Sequence, residues 1–260
     1  MSQNEKKRIV VKVGTSTLTH KTGKTNIARM AKLVSVLADL HNMGHEVILV
    51  SSGAVSIGKG RLNIADKPSE TKALQALAAI GQGELMFMYD KLFGEYDVVV
   101  SQLLFTTDVL EREQDRHHLL DTFNQLLDYG VIPIVNENDS ISVDELLNGD
   151  NDCLSATVAA LIDADLLVMF TDTDGLYDSN PNENEDAKLI ELVEEITPEI
   201  ASLAGGAGSR GTGGFATKIK AAKIATDAGI TVVIANGNKP TKMYKILEGK
   251  SVGTRFLAQK

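Results

Sequence analysis

Two patterns of apolar residues alternate along this chain. Short aliphatic runs occur at Ile9-Val10-Val11-Lys12-Val13, Glu46-Val47-Ile48-Leu49-Val50, Val98-Val99-Val100, Val131-Ile132-Pro133-Ile134-Val135, Leu166-Leu167-Val168-Met169-Phe170 and Thr231-Val232-Val233-Ile234-Ala235. They are too short for helices and rich in β-branched residues, which predicts strands buried on both faces. Between them, Ile27, Met30, Leu33, Val34, Leu37 and Leu40 recur at helical spacing up to Gly44. Residues 70–95, 117–129, 151–162, 215–222 and 240–247 read as further helices, with Gly81-Gln82-Gly83 as a candidate break in the first of these. Thr197-Pro198-Glu199 opens a short helix by its cap and first-turn proline, and residues 252–257 close the chain as an edge strand. Strand, loop and helix thus repeat, which predicts an α/β fold with a mainly parallel sheet, and no linker or internal repeat divides residues 1–260 into more than one domain.

In such a sheet, ligands bind in the crevice beyond the C-terminal ends of the strands. The strand exits are therefore the stretches to examine. Gly14-Thr15-Ser16 follows the first run, Ser51-Ser52-Gly53-Ala54 the second, and Thr171-Asp172-Thr173-Asp174 the fifth. The stretch from Asp139 to Asp152 contains five carboxylates, Asp139, Asp144, Glu145, Asp150 and Asp152, and no Lys or Arg. So many like charges either face water, with Asp or Asn capping the next helix, or form a pocket for an ammonium group and metal-bound phosphate. Residues 140–148 read as an extended flap, because Ile141 and Val143 alternate with polar neighbours. Residues 180–187 lack apolar anchors and read as a mobile surface loop.

Lys12 interrupts an otherwise apolar strand. It either lies on an edge strand facing water or enters the crevice to meet an anion, because a buried ammonium needs a partner. Ser52 either caps a helix or faces a ligand. The glycine-rich segment 205–214 contains a literal G-x-G-x-x-G at Gly206, Gly208 and Gly211, but a helix precedes it, so it fails the context of a dinucleotide fingerprint. It leads into the helix that begins at Phe215, so it is either a phosphate cradle at a helix start or a plain linker.

Composition narrows the classes. At 260 residues with 43% hydrophobic content, the chain can bury a large core. A net charge of -9, with no basic cluster beyond Lys6-Lys7-Arg8, excludes a nucleic-acid grip through a basic surface. The sequence has no signal-peptide core and no apolar run of spanning length, so no membrane association and a cytoplasmic location are expected. The single cysteine, Cys153, forbids an internal disulfide and lacks triad-like neighbours, so packing is its expected role. His41 and His45 are separated by Gly44 at a helix end, which argues against metal ligation; no protein metal cage is expected.

Taken in order, Val11-Lys12-Val13-Gly14-Thr15-Ser16, Ser51-Ser52-Gly53-Ala54, Asn136-Glu137-Asn138-Asp139, Gly149-Asp150-Asn151-Asp152, Thr171-Asp172 with Gly175-Leu176-Tyr177, and Gly211-Thr212-Gly213-Gly214 with Thr217-Lys218 resemble the motifs of the glutamate 5-kinases, a family of amino acid kinases. The resemblance spans essentially the whole chain. It implies a three-layer αβα sandwich and ATP-dependent phosphorylation of the γ-carboxylate of L-glutamate, the first step of proline synthesis, with Mg²⁺ accompanying ATP. Many members add a C-terminal PUA domain, and this chain is expected to be the kinase domain alone. By the same resemblance, Lys12 and Lys218 would stabilise the phosphoryl group while Asp152 holds both ammonium groups. Ser52, Asp139 and Asn151 would bind glutamate, with Asp139 matched to its ammonium. Lys12, Thr171 and Asp172, with Thr212, Gly213, Gly214, Phe215, Ala216, Thr217 and Lys218, would hold ATP. Proline is the expected inhibitor, and a homo-oligomer, dimer or tetramer, is expected. Two departures stand out: Phe215 occupies a position where Met is common, and Ser209-Arg210 precede Gly211 where small or apolar residues are usual. The rivals are kinases of the same fold acting on N-acetylglutamate, carbamate, aspartate or UMP, and a catalytically silent amino-acid or nucleotide sensor.

Overall fold

A computed structural model describes residues 5–20, 22–141, 151–181, 183–203 and 214–259. Among them, β1 (Arg8–Val13), β2 (Glu46–Ser51), β3 (Val100–Phe105), β4 (Ile132–Glu137), β5 (Leu166–Thr171), β6 (Leu192–Val193), β7 (Thr231–Asn236) and β8 (Thr254–Phe256) form one sheet in the order β3-β4-β2-β1-β5-β7-β8-β6. The β7–β8 pair is antiparallel and every other pair is parallel. From β1 the chain builds outward to β2 on one side and later returns to β5 on the other. That reversal of direction makes the ends of β1 and its neighbours a topological switch point, where a crevice opens.

The strands are buried on both faces because helices cover both. Ile9, Val11 and Val13 join Val47, Leu49, Val168 and Phe170 in one core, packed under the helices Ile27–Asn42 and Thr71–Gly94. Val10, Ile48, Val50, Leu167 and Met169 join the other, under Glu113–Asp128, Asn151–Leu161 and Phe215–Asp227. Successive side chains on a strand point to opposite faces, so these two sets define the three layers. Lys12 therefore shares the face of Val10 and points toward the Asn151–Leu161 and Phe215–Asp227 helices.

Three expectations change. Gly81-Gln82-Gly83 does not break its helix, which runs unbroken from Thr71 to Gly94. A Cβ on Gly81 would lie 1.8 Å from the Ala54 carbonyl oxygen, and one on Gly58 would lie 2.0 Å from that of Leu77. The glycines thus allow this helix and Ala54–Arg61 to touch backbone to backbone. The segment 252–257 is not the sheet edge: β8 lies between β7 and the two-residue β6, which is too short to show an alternating pattern. Finally, β3 starts at Val100 and not at Val98, because the Val98 N–H returns to the Phe93 carbonyl (3.2 Å) to close the preceding helix. Of the expected flap, residues 142–148 lie outside the described residues.

Candidate active site

Lys12 is buried on β1, a central strand, which resolves its two alternatives in favour of the crevice. Its Nζ meets Asp152 Oδ1 at 2.6 Å, an ion pair by distance that lacks hydrogen-bond alignment. From the other side, Lys218 Nζ donates to Asp152 Oδ2 at 3.0 Å. The adjacent Thr217 hydroxyl donates to the same oxygen at 2.8 Å and lies 2.9 Å from the Gly214 carbonyl. Asp152 stands in the first turn of Asn151–Leu161, and Thr217 and Lys218 in that of Phe215–Asp227. Two helices packed side by side thus bring their N-terminal ends over the end of β1. Burial opposes the charge on Asp152, but Lys12 and then Lys218 outweigh it and hold the carboxyl at about 2.

A second polar group lies at the exits of β2 and β4. Asn151 Nδ2 donates to Ser52 Oγ at 2.9 Å and to Asn136 Oδ1 at 2.8 Å. Gln82 Oε1 accepts from Asn136 Nδ2 at 3.0 Å. Gly53, in the left-handed conformation at φ 108°, turns the chain from β2 into the Ala54–Arg61 helix and leaves Ser52 beside this network. Three residues beyond Asn136, Asp139 is also buried. Burial pushes its carboxyl up to about 6, and among the described residues no donor reaches its Oδ1. Asp152 and Asp139 are therefore opposites: one carboxylate is ionised between two cations, and the other is buried with no cation paired to it among the described residues.

The amino acid kinase family pattern matches residues 7–236. The chain belongs to that family. Among curated relatives, a glutamate 5-kinase of Clostridium perfringens is 54% identical, over 98% of this chain and 97% of its own. One from Moorella thermoacetica is 52% identical over 99% of this chain and 68% of its own, and one from Listeria monocytogenes is 47% identical over the whole chain and 96% of its own. Among solved structures, a carbamate kinase from Giardia lamblia bound to AMP-PNP superposes with a TM-score of 0.68 at 16% identity, covering 98% of this chain and all of that one. A UMP kinase from Ureaplasma parvum gives 0.66 at 16% identity, covering 97% and 99%. At that identity these two establish the amino acid kinase fold alone.

Of the residues expected at an amino acid kinase site, the structure brings Lys12, Asp152 and Lys218 into one cluster and Ser52 and Asn151 into another. Thr171 and Asp172 end β5 at the same sheet edge, where the Thr171 carbonyl accepts from Gly237 N at 2.8 Å. The Asp172 carboxylate, which accepts from Thr171 Oγ1 at 3.2 Å, faces solvent. Gly214, Phe215 and Ala216 open the Phe215–Asp227 helix, with Phe215 half-buried against the second core. Thr212 and Gly213 lie outside the described residues, as do Ser209 and Arg210. Three participants escaped the sequence: Asn136 as the hub of the network, Gln82 as its far end, and Thr217 as a ligand of Asp152. The signal available for Gln82 was a polar residue inside an apolar helix. Cys153 is buried in the second core, and among the described residues no group of three His, Cys, Asp or Glu is placed to hold a metal ion. Among the described residues, no helix is long and apolar enough to cross a membrane.

Proposed function

We propose that this chain, a single kinase domain, transfers the γ-phosphoryl group of ATP to the γ-carboxylate of L-glutamate, as the first step of proline synthesis in the cytoplasm. The observation that carries the reading is the pairing of a buried Lys12–Asp152–Lys218 cluster with a buried Asp139 that has no counter-charge among the described residues. The names of relatives at 47–54% identity support the choice of glutamate over other acceptors.

The chemistry follows from the charges. A glutamate γ-carboxylate is already an anion, so the reaction needs positioning and charge neutralisation and no strong base. Asp152 is a poor base at about 2 and has both oxygens engaged, so its task is to hold the two lysines. Lys12 and Lys218 then meet the charge that spreads over the transferring group as the bond to the β-phosphate breaks and the carboxylate oxygen bonds to phosphorus. The nucleotide enters as MgATP, its own phosphate oxygens supplying ligands to the ion, which usually keeps several waters. Asp139 receives the α-ammonium, and an arriving cation stabilises the carboxylate that burial disfavours.

Proline shares the α-carboxylate and cationic nitrogen but has no γ-carboxylate, so it should occupy the same pocket without reacting. A dimer or tetramer belongs to the same reading. The test is ADP release with L-glutamate, N-acetylglutamate, aspartate, carbamate and UMP as acceptors, with the acyl phosphate trapped by hydroxylamine. Glutamate alone should yield a hydroxamate. ADP release that does not depend on glutamate would remove the assignment, and proline inhibition that persists at saturating glutamate would place proline elsewhere.

A further inference from the structure

The Thr71–Gly94 helix carries three polar side chains at intervals of seven residues, Gln75, Gln82 and Tyr89, among the buried Leu74, Leu77, Ala78, Leu85 and Phe93. Residues seven apart lie on one face, two turns from each other. All three reach strand exits. Gln75 Nε2 donates to the Ser140 carbonyl at 3.4 Å, Gln82 bonds Asn136, and the Tyr89 hydroxyl lies 2.9 Å from Ser51 Oγ. The stretch Gly81-Gln82-Gly83 is thus the point where a carboxamide enters the site.

The orientation of that carboxamide is forced. The Glu137 N–H donates to Asn136 Oδ1 at 3.0 Å, and a backbone N–H can only donate, so this atom is the amide oxygen. Asn136 must then turn its NH2 toward Gln82, and Gln82 must answer with Oε1. The consequence is that Gln82 Nε2 faces away with no acceptor among the described residues, on a side chain only 9% exposed. On the other branch, Ser52 Oγ accepts from Asn151 and keeps its own proton to give. The network presents donors, and a buried donor left alone is costly.

We infer that Gln82 determines specificity in the amino-acid pocket by donating from Nε2 to the α-carboxylate of the bound amino acid. The inference rests on the glutamate kinase reading above. With the ammonium at Asp139 and the γ-carboxylate at the two lysines, the α-carboxylate is bonded to the same carbon as the ammonium. It therefore lies on the Asn136–Asp139 side, where its two acceptor oxygens match Gln82 Nε2 and the Ser52 hydroxyl.

The experiment compares wild type, Gln82→Glu and Gln82→Met with two acceptors, L-glutamate and its α-carboxamide, which keeps the γ-carboxylate. Gln82→Glu keeps an oxygen for Asn136 and replaces the donor with a charge; Gln82→Met keeps length and offers neither. Both should raise KM for glutamate, by about 10- to 100-fold, since a polar ligand group loses its buried partner. The loss should fall on KM for glutamate rather than on kcat or the KM for ATP, and Gln82→Glu should be the worse. Wild type should prefer glutamate to the α-carboxamide, and Gln82→Met should shrink that preference. If Gln82→Glu matches wild type while Gln82→Met is impaired, Gln82 only orients Asn136 and the inference is overturned. An unchanged preference in Gln82→Met overturns it equally. Failure of the underlying reading has a different signature: wild type itself would release no ADP in response to glutamate.

Discussion

The two halves of the site solve the burial of charge in opposite ways. Around Asp152 the carboxylate is answered within the protein: two ammonium groups and a hydroxyl surround it, and the cluster keeps one net positive charge. Around Asp139, the described residues leave its Oδ1 and the Gln82 Nε2 without a partner. The first half is assembled within the protein alone, which the proposed function asks of groups that would meet charge developing during reaction without reorganising. In the proposed function the second would be completed by what it binds, and so would select. Stability is spent at the second half and recovered on binding.

The sharpest way to break this comparison is to remove the carboxylate that unites the first half. Asp152→Asn leaves two buried ammonium groups without their counter-charge, and losing one partner of such a cluster typically destabilises by about 3–5 kcal/mol. Denaturant unfolding should show a loss of that size together with loss of turnover. A change near zero would mean that the lysines are not held by Asp152.

Lys218→Ala acts on the same cluster but leaves Asp152 paired with Lys12, so the fold should survive while catalysis does not. Removing one preorganised group that meets developing charge should lower kcat by about 10²- to 10³-fold. Near-normal turnover in the folded variant would take Lys218 out of the mechanism.

Asp139→Asn tests the other half. It should raise KM for glutamate by about 10- to 100-fold through loss of a charge-assisted contact, with KM for ATP unchanged. Its effect on stability should carry the opposite sign from that of Asp152→Asn. The folded-state value of Asp139 is raised from 3.8 to about 6, so its stabilising contribution is full below 3.8 and is lost as pH rises through about 6. Asp152 is lowered to about 2, so its contribution is present above 3.8 and is lost as pH falls through about 2. Ligand-free Asp139→Asn should therefore melt higher than wild type above pH 6, with the difference shrinking as pH falls toward 3.8. Identical pH–melting curves would show that Asp139 already has a counter-charge.

The smallest expected effect is that of Thr217→Val, which keeps shape and deletes the hydroxyl on Asp152 Oδ2. One hydrogen bond to a charged group is worth about 1.5–3 kcal/mol, and with two lysines remaining the loss should lie at the low end. Turnover should fall several-fold, and Thr217→Ser should restore it. Failure of the serine variant to do so would point to lost packing.

Much of the architecture was legible because it depends on short-range periodicity. Continuous aliphatic runs are the mark of strands buried on both faces, and the polar residues just beyond them must lie at one edge of a parallel sheet. That logic put Ser52, Asp139 and Asp172 at one edge, while Lys12, inside a run, stayed open between water and the crevice until the structure showed β1 to be central. The helix through Gly81 was misjudged because helix propensity is local, whereas the need for glycine came from the Ala54 carbonyl on another helix. Likewise β6 and the inner position of β8 depend on which strand lies beside which, and two residues carry no period to reveal it.

What only the tertiary structure decided is the difference between like residues. Motif resemblance gave Asp152 and Asp139 different expected roles, but nothing in the sequence sets their carboxyls apart physically; one lies between Lys12 and Lys218, the latter 66 positions away, and the other is buried with no donor at its Oδ1 among the described residues. The direction of the Gln82 amide is set by a single backbone N–H at Glu137, through the Asn136 amide between them. Charge and hydrogen-bond polarity are properties of neighbours in space, and sequence order specifies those neighbours only once the sheet and its covering helices have formed.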